Sequence, residues 1–180
     1  MYNINITYLN LPMVFSKKYI SEFVYGGIDG LVTTFSVVSA AAGGGLGVKT
    51  VLILGFANLF ADGFAMSIGS YSAAESDIGD SKNNTKTPFK IGLATFLSFN
   101  IVGLLPLIIY LKSYLQGENT DNIFFYTSLL TAVGFILIGV LKNKVSNNSM
   151  FRDVMFTLLL GSIASVVAYV VGDYLENIIK

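Results

Sequence analysis

Hydrophobic residues along this chain fall into five long blocks, which are separated by short polar or glycine-rich connections. A helix that crosses a bilayer needs about 20 mostly apolar residues, and each block reaches that length. The pattern predicts five membrane-spanning helices, approximately at Tyr19–Ala42, Thr50–Ala74, Phe89–Tyr114, Asn122–Leu141 and Val154–Ile178. We therefore expect an all-α integral membrane protein, with a five-helix domain over residues 19–180 and an N-terminal cytosolic or interfacial arm over residues 1–18.

Basic residues are distributed unevenly between the two sides of the membrane that this topology defines. The side with the N-terminal arm and the second and fourth connections carries eight of them: Lys17, Lys18, Lys82, Lys86, Lys90, Lys142, Lys144 and Arg152. The opposite side carries three: Lys49, Lys112 and Lys180. Because Lys and Arg accumulate in cytoplasmic loops, this distribution predicts a cytosolic N-terminus.

The composition excludes several classes of chemistry. Hydrophobic residues make up 53% of the chain and charged residues only 12%, about half the charged share of a soluble domain. Eleven basic and eleven acidic residues cancel, so there is no basic surface for nucleic acid. The absence of Cys and His rules out disulfides, thiolate catalysis, Ser-His triads and imidazole ligands. Any metal must be bound by oxygen and by methionine sulfur.

Two carboxylates interrupt the first two apolar blocks. Asp29 lies in the first block and Asp62 in the second, and each costs about 2.5–3.5 kcal/mol to insert into a bilayer. The middles of the predicted spans contain no Lys or Arg, so protons or a transported cation are the natural partners of these acids. Asn58, Asp62 and Met66 are spaced four residues apart and therefore share one helix face. The pattern predicts a cation pathway along the first two spans.

Small residues recur every four positions on three of the spans. They are Gly26 and Gly30 in the first span, Ala57, Ala61, Ala65, Gly69 and Ala73 in the second, and Ala164, Ala168 and Gly172 in the fifth. Such ridges let membrane helices approach one another closely. We expect them to pack the helices of the bundle together.

Two further acids, Glu22 and Glu75, lie near helix ends that both face the cytosol in the predicted topology. They either form an acidic entry vestibule for cations or are ordinary solvated helix ends. The acids Asp77 and Asp80 in the second connection allow the same two interpretations.

Two stretches of the chain, GGIDGLVTTFSVVSAAAGG and LILGFANLFADGFAMSIGSYSAAES, resemble the vacuolar iron transporter family, whose iron/manganese transporters include nodulin-like members. Weaker similarity extends through FLSFNIVGLLPLIIYL and LLLGSIASVVAYVVGDYLE. The resemblance implies a homodimer that exports Fe²⁺ or Mn²⁺ from the cytosol in exchange for protons, along a pathway near the dimer interface. It implies a plasma or inner membrane in a prokaryote, and a vacuolar or other organelle membrane in a eukaryote.

The resemblance also implies roles for individual residues. The family's metal-binding Asp of the first span falls on Asp29, and its Met of the second span falls on Met66. Asn58 stands where some members have an acid, and Asp62 matches the ADG form of bacterial-type members. Some members carry a long Glu-rich domain between the second and third spans. This chain has only the fourteen residues Glu75–Pro88 there and is similar to the short, nodulin-like members.

Other functions stay open at the level of the sequence. A monovalent-cation channel or carrier would use the same acids, and a structural membrane protein would leave them uncompensated. A membrane-embedded aspartyl protease would need a YD or GxGD pair, which the chain lacks. We expect a transporter without enzymatic activity and without a resident cofactor, whose cargo is Fe²⁺ or Mn²⁺ coupled to protons.

Overall fold

The structure, a computed structural model, describes residues 17–78, 86–117, 122–146 and 148–179. These ranges contain six α-helices and no strand. The helices are α1 (Ile20–Gly43), α2 (Val48–Ile78), α3 (Pro88–Gly103), α4 (Leu105–Gln116), α5 (Ile123–Lys142) and α6 (Met150–Ile179). A single 3₁₀ turn at Lys17–Tyr19 precedes α1. Most of the predicted N-terminal arm lies outside the described residues, as do Asp80 and Lys82 of the second connection.

Four helices, α1, α2, α5 and α6, are long and apolar enough to cross a membrane, and the bent pair α3–α4 makes a fifth span if it is counted as one. The third span was expected to be a single continuous helix, and this expectation is wrong. The chain bends by 49° between α3 and α4. Pro106 explains the bend, because its ring has no N–H to donate and clashes with the carbonyl group four residues earlier in a continuous helix.

The first helix, α1, lies at the centre of the bundle and contacts each of the five other helices. Its side chains Leu31 and Val38 are completely buried. At the periphery, α6 exposes a long series of large apolar residues, including Phe151, Ile163 and Val167. An exposed apolar surface of this kind suits contact with lipid, in which no water is present to penalise it.

Small residues bring α1 and α3 into backbone contact. A Cβ atom placed on Gly30 would overlap the carbonyl oxygen of Phe99, and one placed on Gly103 would lie 2.7 Å from the carbonyl oxygen of Gly30. A Cβ on Gly26 would lie 2.6 Å from the carbonyl oxygen of Thr95. The small-residue ridge of the first span therefore packs as its pattern predicts.

The small-residue ridge of α2 behaves differently. We expected it to pack against the bundle, but Ala57, Ala61, Ala65, Gly69 and Ala73 are all exposed in the protomer. A Cβ atom on Gly69 would have no described neighbour within 4 Å. The physical reason is that α2 uses another face, which includes the buried residues Leu52 and Leu59, to contact α3 and α4. The ridge is left on the outside of the protomer.

Candidate functional site

The two membrane acids lie on neighbouring helices, at the junction where α1, α2 and α3 meet. Asp29 on α1 and Asp62 on α2 are both half-buried. A glycine follows each acid and touches α3: Gly30 meets the backbone of Phe99, and Gly63 meets the Phe99 ring. The structure therefore brings together two acids that lie 33 residues apart in the sequence.

Neither of these acids has an ion-pair partner among the described residues. The two described ion pairs are Lys86–Glu22 and Lys142–Asp153, and both lie away from the middle of the helices. No basic side chain in the described part of the protomer therefore neutralises Asp29 or Asp62. A cation or a proton is the simplest group that would neutralise them.

Asn58 and Met66 flank Asp62, one helical turn before and one turn after it on α2. Both are half-buried. The side-chain nitrogen of Asn58 is buried and finds no hydrogen-bond partner in the described ranges, although such a group costs about 1–3 kcal/mol when it is left unpaired. Met66 packs against an apolar cluster that includes Leu59 and Phe99. The thioether of Met66 thus lies at the edge of the core, on the same helix face as Asp62.

Sequence reasoning missed one polar residue at this junction, Asn100 on α3. Its side-chain nitrogen donates a hydrogen bond to the carbonyl oxygen of Phe96 at 2.8 Å. Its side-chain oxygen is buried and has no hydrogen-bond partner within the described residues. The signal that would have found it is an amide in the middle of the apolar block FLSFNIVG, which is as anomalous there as Asn58 is in the second block.

The site is poor in charged ligands. In the part of the chain that the structure describes, no group of three or more Asp, Glu, His or Cys side chains is arranged to bind a metal ion. A cation between α1 and α2 would meet two carboxylates and would complete its coordination with amide oxygens, a thioether or water. Such a set suits an ion that must leave again, because a transport site has to release what it binds.

The two acids predicted at the cytosolic entry, Glu22 and Glu75, both make polar contacts within the protomer. Glu22 forms an ion pair with Lys86 at 2.6 Å and accepts a hydrogen bond from Ser21 at 2.9 Å. Glu75 is exposed and accepts a hydrogen bond from the Tyr71 hydroxyl at 3.0 Å. The ammonium group of Lys86 offsets the charge of Glu22, so Glu75 carries the less compensated charge of the two.

A fully buried acid, Asp153 in the first turn of α6, was not singled out from the sequence. Its side chain is 1% exposed and accepts hydrogen bonds from Ser146 and Asn143. The Lys142 nitrogen lies 3.5 Å from it. Because these groups already satisfy the carboxylate, Asp153 holds the connection between α5 and α6 in place and does not resemble a site for a mobile cation.

Comparisons with known proteins show which family the chain belongs to. A profile of the VIT family matches residues 20–79 and 75–173. A Toxoplasma gondii vacuolar iron transporter is 23% identical over an alignment of 231 positions. The alignment covers 91% of this chain and 76% of the relative. A vacuolar iron transporter of Plasmodium falciparum is 21% identical over an alignment of 228 positions. The alignment covers 89% of this chain and 84% of the relative.

A plant protein is also similar. The Arabidopsis thaliana membrane protein of ER body-like protein is 25% identical over 186 residues. The alignment covers 89% of this chain but only 24% of that relative. The residues that the VIT profile matches include every helix of the bundle except the end of α6.

Proposed function

This multi-pass membrane protein belongs to the VIT family, and on that premise we propose that it carries Fe²⁺ or Mn²⁺ out of the cytosol in exchange for protons. The observation that supports the proposal most directly is that Asp29 and Asp62 each precede a glycine that meets Phe99 of α3, so both acids lie at one helix junction. Neither acid has an ion-pair partner in the described protomer, although both lie in spans where an isolated charge is costly.

In this mechanism Asp29 and Met66 coordinate the metal ion near the middle of the membrane, while Asp62 and Asn58 line its path. A divalent cation relieves the repulsion between the two carboxylates when it binds. When the ion leaves, that repulsion favours uptake of a proton by one of the acids. The metal ion and the proton then bind in turn to the same carboxylates, so the two are transported in opposite directions. The N-terminus faces the cytosol in this arrangement, so Glu22 and Glu75 lie on the side from which metal enters.

The ligands also favour a particular class of metal. Carboxylate and amide oxygens suit Mn²⁺ and Fe²⁺, whereas a thioether is a poor ligand for the hard cations Mg²⁺ and Ca²⁺. The chain contains no His or Cys, the ligands that hold Zn²⁺ and Cu²⁺ most tightly. Met66 is thus the residue expected to discriminate against Mg²⁺.

The proposal is tested by measuring Mn²⁺ and Fe²⁺ uptake into proteoliposomes with and without an acidic interior. We expect uptake to be faster with the acidic interior, because outward proton flow then drives metal inward. An excess of Mg²⁺ is expected to leave the rate unchanged. Absence of divalent-metal flux under every gradient would refute the proposal. Flux of Na⁺ or K⁺ in place of Mn²⁺ would favour the monovalent-cation alternative.

We propose further that the protein is a homodimer and that the small-residue ridge of α2 lies at its interface. The ridge is exposed in the protomer and is bordered by Phe60 and Phe64, which are 57% and 62% exposed. It also borders the helix face that carries Asn58, Asp62 and Met66. Pairing of two α2 helices along small residues would therefore enclose these polar groups and separate them from lipid.

Gly69→Leu tests this interface. Because nothing described lies within 4 Å of a Cβ atom at Gly69, the added side chain fits the isolated protomer but would separate two helices that meet there. We expect the variant to be monomeric in detergent, by light scattering coupled to size-exclusion chromatography, with unchanged helix content. Ser162→Leu makes the same kind of change at an exposed position of α6 and should stay dimeric. A Gly69→Leu variant that remains dimeric would exclude the ridge from the interface.

A further inference from the structure

The third span brings one polar side chain, Asn100, to the junction that carries the two acids. Phe99, the residue before it, contacts Gly30, which follows Asp29. The Asn100 amide itself lies against Gly63, which follows Asp62, since a Cβ atom there would be 2.7 Å from the Asn100 nitrogen. The missing side chain at Gly63 leaves the space that this amide occupies.

The orientation of the Asn100 amide is set by a hydrogen bond. Its nitrogen donates to the carbonyl oxygen of Phe96 at 2.8 Å, and the opposite orientation would bring two oxygen atoms together there. The side-chain oxygen is therefore the amide atom that does not take part in this hydrogen bond. It is buried and, within the described residues, has no donor. An unpaired buried acceptor lowers stability, so the residue needs either a ligand or a structural reason.

The bend of the third span does not supply that reason. The Leu104 amide at the bend donates to the backbone carbonyl oxygen of Asn100 at 3.1 Å, which any residue at position 100 would provide. The side-chain oxygen takes no part in that contact. A carbonyl oxygen accepts hydrogen bonds or binds cations, and Asp29 and Asp62 make this junction attractive to cations.

We propose that the side-chain oxygen of Asn100 is an additional ligand for the divalent cation as it passes between α1 and α2. This inference rests on the proposed function and extends it, because it assigns a binding role to the third span. The cation is of the oxygen-preferring class, such as Mn²⁺ or Fe²⁺. In this arrangement α3 contributes a neutral amide oxygen beside the two carboxylates. The ion then has an additional ligand, while the site has no additional negative charge.

Asn100→Leu tests the assignment, since leucine fills the same space without the oxygen. We expect the KM for Mn²⁺ uptake into proteoliposomes to rise by about tenfold, the scale of one lost polar contact to a charged group. We also expect the stabilisation of the detergent-solubilised protein by Mn²⁺, measured as a shift in melting temperature, to shrink. The melting temperature without metal should be unchanged or higher, because an apolar group replaces an unpaired one. Asn100→Asp keeps an oxygen at the site and should retain most of the affinity for Mn²⁺.

Thr127→Val is the matched control. The Thr127 hydroxyl is also buried without a partner in the described ranges, but it belongs to α5, which packs against α1, α4 and α6. The KM of the Thr127→Val variant for Mn²⁺ should equal that of the wild type. An unchanged KM in Asn100→Leu would overturn the assignment and leave a water molecule or a packing role for the amide. If Asn100→Leu does not fold, Asn100→Ala decides by the same comparison. Absence of divalent-metal flux in the wild type would instead refute the proposed function, and this inference with it.

Discussion

Asp29→Asn is expected to reduce Mn²⁺ and Fe²⁺ transport by at least about 100-fold. Changes to groups that merely orient metal ligands already cost about 10–100-fold, and Asp29 is proposed to be a ligand itself. Asparagine keeps the shape of the side chain but removes both its charge and its ability to take up a proton. The variant should still fold and assemble, because the Asp29 carboxylate takes part in neither of the described ion pairs and its replacement breaks none of them.

The measurement is pH-gradient-driven metal uptake into proteoliposomes, together with size-exclusion chromatography to establish assembly. Asp173→Asn is the control, since it makes the same chemical change at an exposed position of α6 and should transport normally. Uptake that persists in Asp29→Asn would remove this residue from the pathway. Loss of uptake accompanied by loss of assembly would indicate a structural role for the carboxylate.

Gly30→Ala is expected to lower the free energy of unfolding by about 3 kcal/mol or more, at the upper end of what overpacking costs. The added Cβ atom would overlap the carbonyl oxygen of Phe99. A backbone atom inside a helix cannot move aside as the end of a flexible side chain can. The helices α1 and α3 would have to separate, and their contact is the most extensive among the described helices.

Thermal unfolding of the purified protein in detergent measures this effect directly and does not depend on transport. Gly47→Ala serves as the control, because a Cβ atom there would meet nothing described within 4 Å and should leave the melting temperature unchanged. Equal melting temperatures for Gly30→Ala and the wild type would show that the α1–α3 contact is not as close as described.

Some features of the fold were predictable because they depend on local sequence. The length of an apolar block decides whether a helix can cross the membrane. The structure has a single helix of sufficient length at four of the five predicted positions and the bent pair α3–α4 at the remaining one. The bend in the third span was missed, although its cause is Pro106, because the apolar pattern continues through the proline without interruption. The outward direction of the α2 ridge was also missed, since small-residue spacing indicates that a helix packs closely but not with which partner.

Some features of the candidate site were likewise predictable from the sequence and others were not. The sequence by itself determined that Asp29 and Asp62 are exceptional, because a carboxylate in an apolar block is costly wherever that block packs. It also determined that Asn58, Asp62 and Met66 share a face, because helical periodicity fixes which residues of one helix lie together. Only the tertiary structure decided that the glycines after Asp29 and Asp62 both meet Phe99, and that Asn100 lies against Gly63. Those contacts depend on how far each helix is rotated and shifted relative to its neighbours, and side-chain volumes throughout the bundle set that rotation and shift together.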